Sequence, residues 1–307
     1  MGLATREAYG KALLQLGADN NNVVVLDADL SKSTKTADFG DAYSDRFINV
    51  GIAEQNLMGI SAGLASYGKI PFASTFAVFA TGRAFEIIRN SICYPNLNVK
   101  IAATHAGISV GEDGGSHQSV EDIALMNVLP NMSVIVPADA RETEEVIKYA
   151  AKHEGPVYIR LGRLAAEDLF DESYTYEYGK GVQLTEGEDV AIFATGLMTA
   201  EAKKAAEMLK ADGIHARVIH IPTIKPIDRD IIEKAAKETK FIVTCEEHSV
   251  IGGLGSVVAS VVTEVHPTKV VKIGINDVFG ESGTPAELLE KYGMTAANVV
   301  KTVKANL

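Results

Sequence analysis

The chain has 307 residues, enough for two domains of ordinary size with a core each. Its 47% hydrophobic and 22% charged residues are typical of a soluble globular protein, and a net charge of −11 without a basic face argues against a nucleic-acid partner. No apolar run approaches the length of a membrane span and the N-terminus lacks a signal-peptide core, so we expect a cytoplasmic protein with no membrane partner.

Strand and helix patterns alternate through Leu161, which predicts an α/β domain built on a parallel sheet. The predicted strands are Val23–Leu26, Phe47–Val50, Ile70–Ala73, Val99–Ala103, Ser133–Val136 and Val157–Leu161. The predicted helices between them are Glu54–Ser66, Val78–Ile92, Ser119–Leu129 and Arg141–Lys152.

The pattern breaks at Leu164–Gly181, which is acidic, rich in tyrosine and typical of a linker between domains. A second alternating set follows, with predicted strands Val190–Ala194, Ala216–Ile221, Phe241–Cys245 and Val270–Ile275, and predicted helices Thr199–Lys210, Asp228–Lys237, Gly253–Thr263 and, in the tail, Pro285–Leu307. The sequence therefore predicts an α/β protein of two domains, 1–170 and 184–307, joined by a linker at 171–183, with parallel or mostly parallel sheets.

The segment Thr104–Gln118, T-H-A-G-I-S-V-G-E-D-G-G-S-H-Q, carries the densest group of reactive side chains. It follows a predicted strand and spaces His105, Glu112, Asp113 and His117 with four glycines. Glycine-rich loops that leave the carboxyl ends of parallel strands are where open α/β sheets bind ligands, because glycine lets the backbone pass close to them. We therefore expect these side chains to face one small polar molecule; the alternative is a solvated loop without function.

A second candidate segment, Asn49–Asn56, places Glu54 on the first turn of a predicted helix. Acids in first turns often only complement the helix dipole. Here the neighbours of Glu54 along the chain are apolar, and a carboxyl buried in such surroundings keeps its proton more readily and can donate a hydrogen bond. The sequence thus favours a chemical role for this residue.

Aromatic and cationic residues complete the candidate set. Phe76 and Phe79 have the spacing of one helical turn, which usually marks core residues, but their place directly after a strand and beside Gly82 leaves room for a flat heterocycle to stack. Cations lie at strand or helix ends, and with a serine in the loop after the first strand they could form a phosphate clamp: Arg6, Arg160, Arg163 and Ser33. Cys93 and Cys245 lack C-x-x-C spacing, and no residues of the chain are assigned to a metal.

Taken in order, these segments resemble the thiamine-diphosphate enzymes of the transketolase family, over the whole chain. The most specific part is Val110–Gln118, V-G-E-D-G-G-S-H-Q, although the family usually has Pro-Thr where Gly115 and Ser116 stand. The resemblance implies that residues 1–170 form the pyrimidine-binding domain and residues 184–307 the transketolase C-terminal domain.

The resemblance also implies a role for each candidate residue. Glu54 matches the glutamate that hydrogen-bonds the aminopyrimidine ring of the cofactor, Phe76 and Phe79 match its stacking aromatics, and Asp29 and Leu30 match residues that line the cofactor. The implied substrate-binding residues, with the last three at the phosphate end, are His105, Asp113, His117, Arg6, Ser33 and Arg163. The implied catalytic residues are Glu54, Asp113 and His117.

Full-length members of the family begin with a diphosphate-binding domain that carries a G-D-G…N metal motif, and this sequence contains no such segment. The resemblance therefore implies the C-terminal subunit of a split transketolase, which transfers a two-carbon ketol unit from a ketose phosphate to an aldose phosphate. It further implies thiamine diphosphate as cofactor, Mg²⁺ or Ca²⁺ held mainly by an N-terminal diphosphate-binding partner subunit, activity only with that partner, and self-association to a dimer, giving a heterotetramer.

Three alternatives remain open. Two are other thiamine-diphosphate enzymes, a subunit similar to deoxyxylulose-phosphate synthase or to a 2-oxoacid dehydrogenase. The third is a non-catalytic paralogue that serves as a scaffold, and the presence of Glu54, both phenylalanines and both histidines argues against it.

Overall fold

The computed structural model describes residues 2–307, which form two mostly parallel sheets with helices packed on them. The strands are β1 (Val23–Asp27), β2 (Phe47–Asn49), β3 (Ile70–Phe76), β4 (Lys100–Thr104), β5 (Ser133–Ile135), β6 (Val157–Arg160), β7 (Val182–Gln183), β8 (Val190–Ala194), β9 (Ala216–His220), β10 (Thr223–Lys225), β11 (Ile242–Ser249) and β12 (Val270–Ile275). The helices are α1 (Thr5–Asp19), α2 (Ser31–Thr34), α3 (Ala37–Ala42), α4 (Glu54–Ser66), α5 (Phe85–Ile87), α6 (Asp122–Asn127), α7 (Ala140–Lys152), α8 (Met198–Ala211), α9 (Arg229–Glu238), α10 (Leu254–Val265), α11 (Pro285–Lys291) and α12 (Ala296–Lys304).

The strand order is β10-β5-β6-β4-β3-β1-β2 in the first sheet and β12-β11-β8-β9-β7 in the second. Every pairing is parallel except those of the edge strands β10 and β7, which are antiparallel. The predicted fold class, α/β with mostly parallel sheets, is confirmed. Strands such as β1, β4 and β8 are buried along their whole length, because helices cover both faces of a parallel sheet.

The two halves of the chain share a hydrophobic core as well as a sheet edge. The short strand β10 comes from the second half but pairs with β5 in the first sheet, with Thr223 opposite Ile135. Phe193 and Ile219 belong to the same buried cluster as Ile101. The division of the chain at residues 171–183 stays a prediction.

The predicted linker packs against the first sheet rather than crossing solvent. Its Tyr176 is buried, and the hydroxyl lies 2.6 Å from Oγ1 of Thr223 on β10. Tyr174 and Tyr178 pack partly buried on the same core cluster. The acidic, tyrosine-rich composition therefore marks a segment whose rings are anchored while its carboxylates face water.

Three predicted helices differ from the structure. The expected tail helix Pro285–Leu307 is two helices, α11 and α12, which are separated at Gly293, where φ is 72°. The expected helix Val78–Ile92 is instead two π-helical turns, Phe79–Arg83 and Ile88–Cys93, on either side of α5, and the Thr81 hydroxyl bonds the carbonyl of Ala77 at 2.8 Å. Side-chain bonds of this kind compete with the helical ladder, and π-turns are frequent at functional sites. The expected helix Ser119–Leu129 shortens to α6 because the backbone of Ser119 bonds Gly107 instead.

The strand order also locates a crevice. The chain leaves β1 for β2 on one side, whereas β3 lies on the other side of β1. The connections therefore diverge at the carboxyl ends of β1 and β3, the topological switch point where open α/β sheets bind their ligands. Within residues 2–307, no helix combines the length and apolar character needed to cross a bilayer.

Candidate active site

Most of the residues that the sequence singled out meet at this crevice. The loops after β1, β3, β4 and β6 begin at this crevice, and α1 and α4 begin beside it. The contacts described below link most of the candidates into one group: Arg6, Ser33, Glu54, Phe76, Phe79, His105, Asp113, His117 and Arg163.

Four rings form the centre of the group. Phe76, the last residue of β3, lies parallel to Phe79 with 5.9 Å between ring centroids. The His105 ring stacks on Phe76 at 3.8 Å. His117 meets Phe79 edge-on at 5.4 Å. The two phenylalanines therefore do not belong to one helix, as their spacing suggested, but they lie together with both histidines of the glycine-rich loop.

His105 is fixed by its backbone and by two hydrogen bonds. It has a left-handed φ of 57° and is 3% exposed. Its Nε2 lies 3.2 Å from Nη1 of Arg6, and its Nδ1 lies 2.8 Å from Oγ1 of Thr104. An arginine can only donate, so Nε2 accepts and the proton is on Nδ1. Burial first, then the positive charges of Arg6 and Arg163, lower the pKa of His105 to about 3.

We expect an NMR titration of labelled imidazoles to show a His105 ring that stays neutral from pH 8 down to about 4. Because its pKa is lowered from 6.5, the unfolded state binds this proton first, and folding is destabilised as the pH falls from 6.5 towards 3. Arg6→Met should raise the pKa of His105 by removing a nearby cation. A wild-type His105 that titrates between pH 6 and 7 would contradict this geometry.

The residues that the resemblance assigns to a phosphate lie first on α1 and on the loop after β1. Nη1 of Arg6 donates to the main-chain carbonyl of Ser33 at 2.9 Å, so Ser33 enters this contact through its backbone. Burial is the main cause that lowers the pKa of Arg6, and the charge of Arg163 lowers it further, while Glu7 opposes both. Two cations thus lie close to the neutral His105.

Arg163 is tied to the glycine-rich loop. Its Nη1 donates to the carbonyl of Val110 and to Glu112, with the carboxylate of Glu112 at 3.2 Å and that of Asp113 at 3.8 Å. These acids are half exposed, as is the guanidinium. The loop after β6 and the glycine-rich loop are therefore joined at the point where the resemblance places a phosphate.

Arg160, which the sequence grouped with these cations, is not part of the site. It is 7% exposed, its Nε donates to Asp122 at 2.7 Å, and Tyr158 donates to the same carboxylate at 2.6 Å. A buried guanidinium needs such a partner, and Asp122, the first residue of α6, supplies it. Arg160 is thus a structural residue between the two sheets.

Glu54 lies at the start of α4 and is 3% exposed. Its surroundings are not purely apolar as expected, because Nη1 of Arg83 donates to its Oε1 at 2.8 Å. The same guanidinium lies 4.7 Å above the Phe79 ring. Sequence reasoning missed Arg83, although an arginine four residues after an aromatic on a turn is a pattern that brings the two together.

Asp29 and Leu30 lie at the crevice edge next to α4. Asp29 has a φ of 65° and accepts from Nδ2 of Asn49 at 3.1 Å. The amide of Leu30 donates to Oδ1 of Asp27 at 2.5 Å. Asp27 is fully buried and was not a candidate. Burial raises its pKa, and the hydroxyls of two threonines, Thr34 and Thr36, bond it and shape the loop that carries Ser33.

Both halves of the chain match known protein domains. Residues 1–167 match the sequence profile of the transketolase pyrimidine binding domain, and residues 179–299 match that of the transketolase C-terminal domain. The chain belongs to the transketolase family.

Three relatives within the transketolase family resemble the chain over nearly its whole length. A putative transketolase C-terminal section of Methanocaldococcus jannaschii is 52% identical, covering 97% of this chain and 94% of the relative. A 6-deoxy-6-sulfo-D-fructose transketolase subunit of a Clostridium species is 40% identical, covering 96% and 92%. A solved split gene transketolase, described as an inactive beta4 tetramer, is 63% identical with a TM-score of 0.93, covering 99% and 98%.

Among residues 2–307, no group of three or more histidine, cysteine, aspartate and glutamate side chains is placed to hold a metal ion. Cys93 and Cys245, the two cysteines, are both buried and unpaired.

Proposed function

We propose that this chain is the C-terminal subunit of a split transketolase, which transfers a two-carbon ketol unit from a ketose phosphate to an aldose phosphate together with a diphosphate-binding partner subunit. The observation that carries the proposal is the contact series Glu54–Arg83–Phe79–His117, which joins a nearly buried carboxyl to the aromatic centre of the glycine-rich loop. The names of the two split relatives, one a C-terminal section and one a split gene product, support the same division of labour.

The residues at the crevice fit the ring end of thiamine diphosphate. A nearly buried carboxyl on Glu54 can hydrogen-bond an aminopyrimidine, the parallel faces of Phe76 and Phe79 offer a stacking surface, and Asp29 and Leu30 line the same edge. When bound, the cofactor supplies the electron sink for the transferred two-carbon unit. Mg²⁺ or Ca²⁺ would be held mainly by the partner subunit. The guanidinium of Arg83 already donates to the Glu54 carboxyl, so an aminopyrimidine ring that hydrogen-bonds this carboxyl would compete with Arg83.

The opposite side of the group fits a sugar phosphate. Arg6 and Arg163 supply positive charge, and the neutral His105 supplies a hydrogen-bonding ring between them without adding charge. Asp113 and His117 lie on the loop between the phosphate end and the rings, where they would bind and orient donor hydroxyls. Acid–base help from groups of this kind is worth roughly 10²–10⁴-fold.

Self-association belongs to the same proposal. The 63% identical split gene transketolase is described as a beta4 tetramer, so chains of this type associate with one another. We propose a homodimer that binds two partner subunits and forms a heterotetramer.

In this complex, Arg163→Ala should raise the KM for a phosphorylated ketose roughly tenfold or more, because the charge-assisted contact to the phosphate is lost. The KM for hydroxypyruvate, which has no phosphate, should hardly change. Asp113→Ala and His117→Ala should impair both donors, because both donors present the same two-carbon unit. Equal losses for both donors in Arg163→Ala would show that this arginine only holds the loop.

The sulfosugar relative motivates a second assay with the same variants. Its name assigns it a ketose that ends in a sulfonate instead of a phosphate, and an arginine pair can bind either anion. Comparing a phosphorylated with a sulfonated ketose in the wild-type complex decides which terminal anion this site prefers.

A further inference from the structure

The second half of the chain holds the glycine-rich loop, residues 105–118, at several points. The amide of Ser109 donates to Oε1 of Glu247 at 2.6 Å, and Glu247 lies near the end of β11. Nε2 of Gln118 donates to the carbonyl of Glu281 at 2.9 Å. The glycine-rich loop, which carries four polar candidate side chains, is therefore held by Glu247 on β11 and by Glu281 in the segment between β12 and α11.

Glu247 is itself held rigidly. It is 5% exposed, and its main-chain carbonyl accepts from Nη2 of Arg160 at 2.8 Å. Arg160 in turn is paired with Asp122. The backbone of Glu247 is therefore bonded to a residue of the first sheet, while Glu247 itself belongs to a strand of the second sheet. Burial raises the pKa of Glu247, and the Arg160 charge and the Ser109 bonds oppose this rise.

Gly107 shows how closely the carboxyl approaches the loop. This glycine has a φ of 84°, and a Cβ placed on it would lie 2.3 Å from the carboxyl carbon of Glu247. Only glycine satisfies both the backbone conformation and the approach. Along the chain, Gly107 and Ser109 lie between His105 and the acids Glu112 and Asp113. The contact with Glu247 therefore fixes the part of the loop that sets the distance between His105 and these acids.

We propose that Glu247 is a positioning residue of the substrate site, through which the C-terminal domain holds the loop 105–118 in its binding conformation. The inference rests on the proposed function. Glu247 touches no candidate ligand group itself and acts through the backbone of Ser109 and Gly107. The C-terminal domain thereby takes part in substrate binding, although the Glu247 side chain does not line the crevice.

The test uses three variants. Glu247→Asp keeps the carboxyl group but shortens the side chain by one methylene, which withdraws the acceptor from Ser109. Glu247→Gln keeps the length of the side chain and an acceptor oxygen. The neighbouring Glu246 is equally buried but caps α10, accepting from the amides of Leu254 at 2.6 Å and Gly255 at 2.8 Å, so Glu246→Asp is the matched control. The readouts are amide hydrogen exchange in the isolated full chain and donor KM in the complex with the partner subunit.

Glu247→Asp should speed amide exchange within residues 105–118 and raise the KM for both ketose phosphate and hydroxypyruvate roughly tenfold, with the affinity for thiamine diphosphate unchanged. Glu247→Gln should restore most of the wild-type behaviour, and Glu246→Asp should leave loop exchange and KM as they are. Wild-type loop exchange in Glu247→Asp, or the same loop effect in Glu246→Asp, would overturn the proposal. Exchange is measured without turnover, so failure of ketol transfer in the wild-type complex would refute the proposed function separately.

Discussion

Glu54→Gln is expected to remove more than nine-tenths of ketol transfer in the complex with the partner subunit while the fold stays intact. An amide has the shape of the carboxyl group but cannot take up and release a proton as a carboxyl does, so it cannot serve the ring nitrogen in the same way. The carboxyl is nearly buried at the start of α4, where water cannot replace it. A tenfold loss corresponds to about 1.4 kcal/mol of transition-state stabilisation, the smallest effect that would assign Glu54 to the mechanism.

The measurement is the steady-state rate with a ketose phosphate donor and an aldose phosphate acceptor, with circular dichroism as the check on folding. Glu86→Gln is a suitable control, because Glu86 is an exposed acid on α5 and, among residues 2–307, its side chain bonds only Asn90. A Glu54→Gln complex that retains more than about a tenth of the wild-type rate would remove this residue from the mechanism.

The fold class and the position of much of the candidate site could be predicted from the sequence, because both depend on local patterns. Buried parallel strands such as β1 and β4 are continuous apolar runs, and the loop with His105 and His117 follows one of them directly. Once a polar, glycine-rich segment is placed at the carboxyl end of a parallel strand, its position at the crevice follows from topology.

Features that depend on contacts across the chain could not be predicted. The strand β10 has three residues and forms only because β5 presents a free edge 90 residues earlier in the sequence. Arg83 contacts Glu54 because it ends a π-helical turn, whereas the sequence pattern predicted an ordinary α-helix there. Arg160 has the same local sequence signal as a surface cation, and only the buried carboxylate of Asp122 makes it structural.

The second large effect concerns the partner. The proposal assigns the ring end of the cofactor and the sugar to the residues at the crevice, and the diphosphate and its metal to another subunit. The isolated chain should therefore bind thiamine diphosphate weakly and show no ketol transfer. Addition of the diphosphate-binding subunit should restore both, and light scattering should show a homodimer before mixing and a heterotetramer afterwards.

The most direct test of a split transketolase is a coupled assay with xylulose and ribose phosphates on this purified chain, with and without the diphosphate-binding subunit. We expect no turnover above background from the chain alone and full turnover from an equimolar mixture with thiamine diphosphate and Mg²⁺. Full turnover by the chain alone, or none by the mixture, would contradict the account.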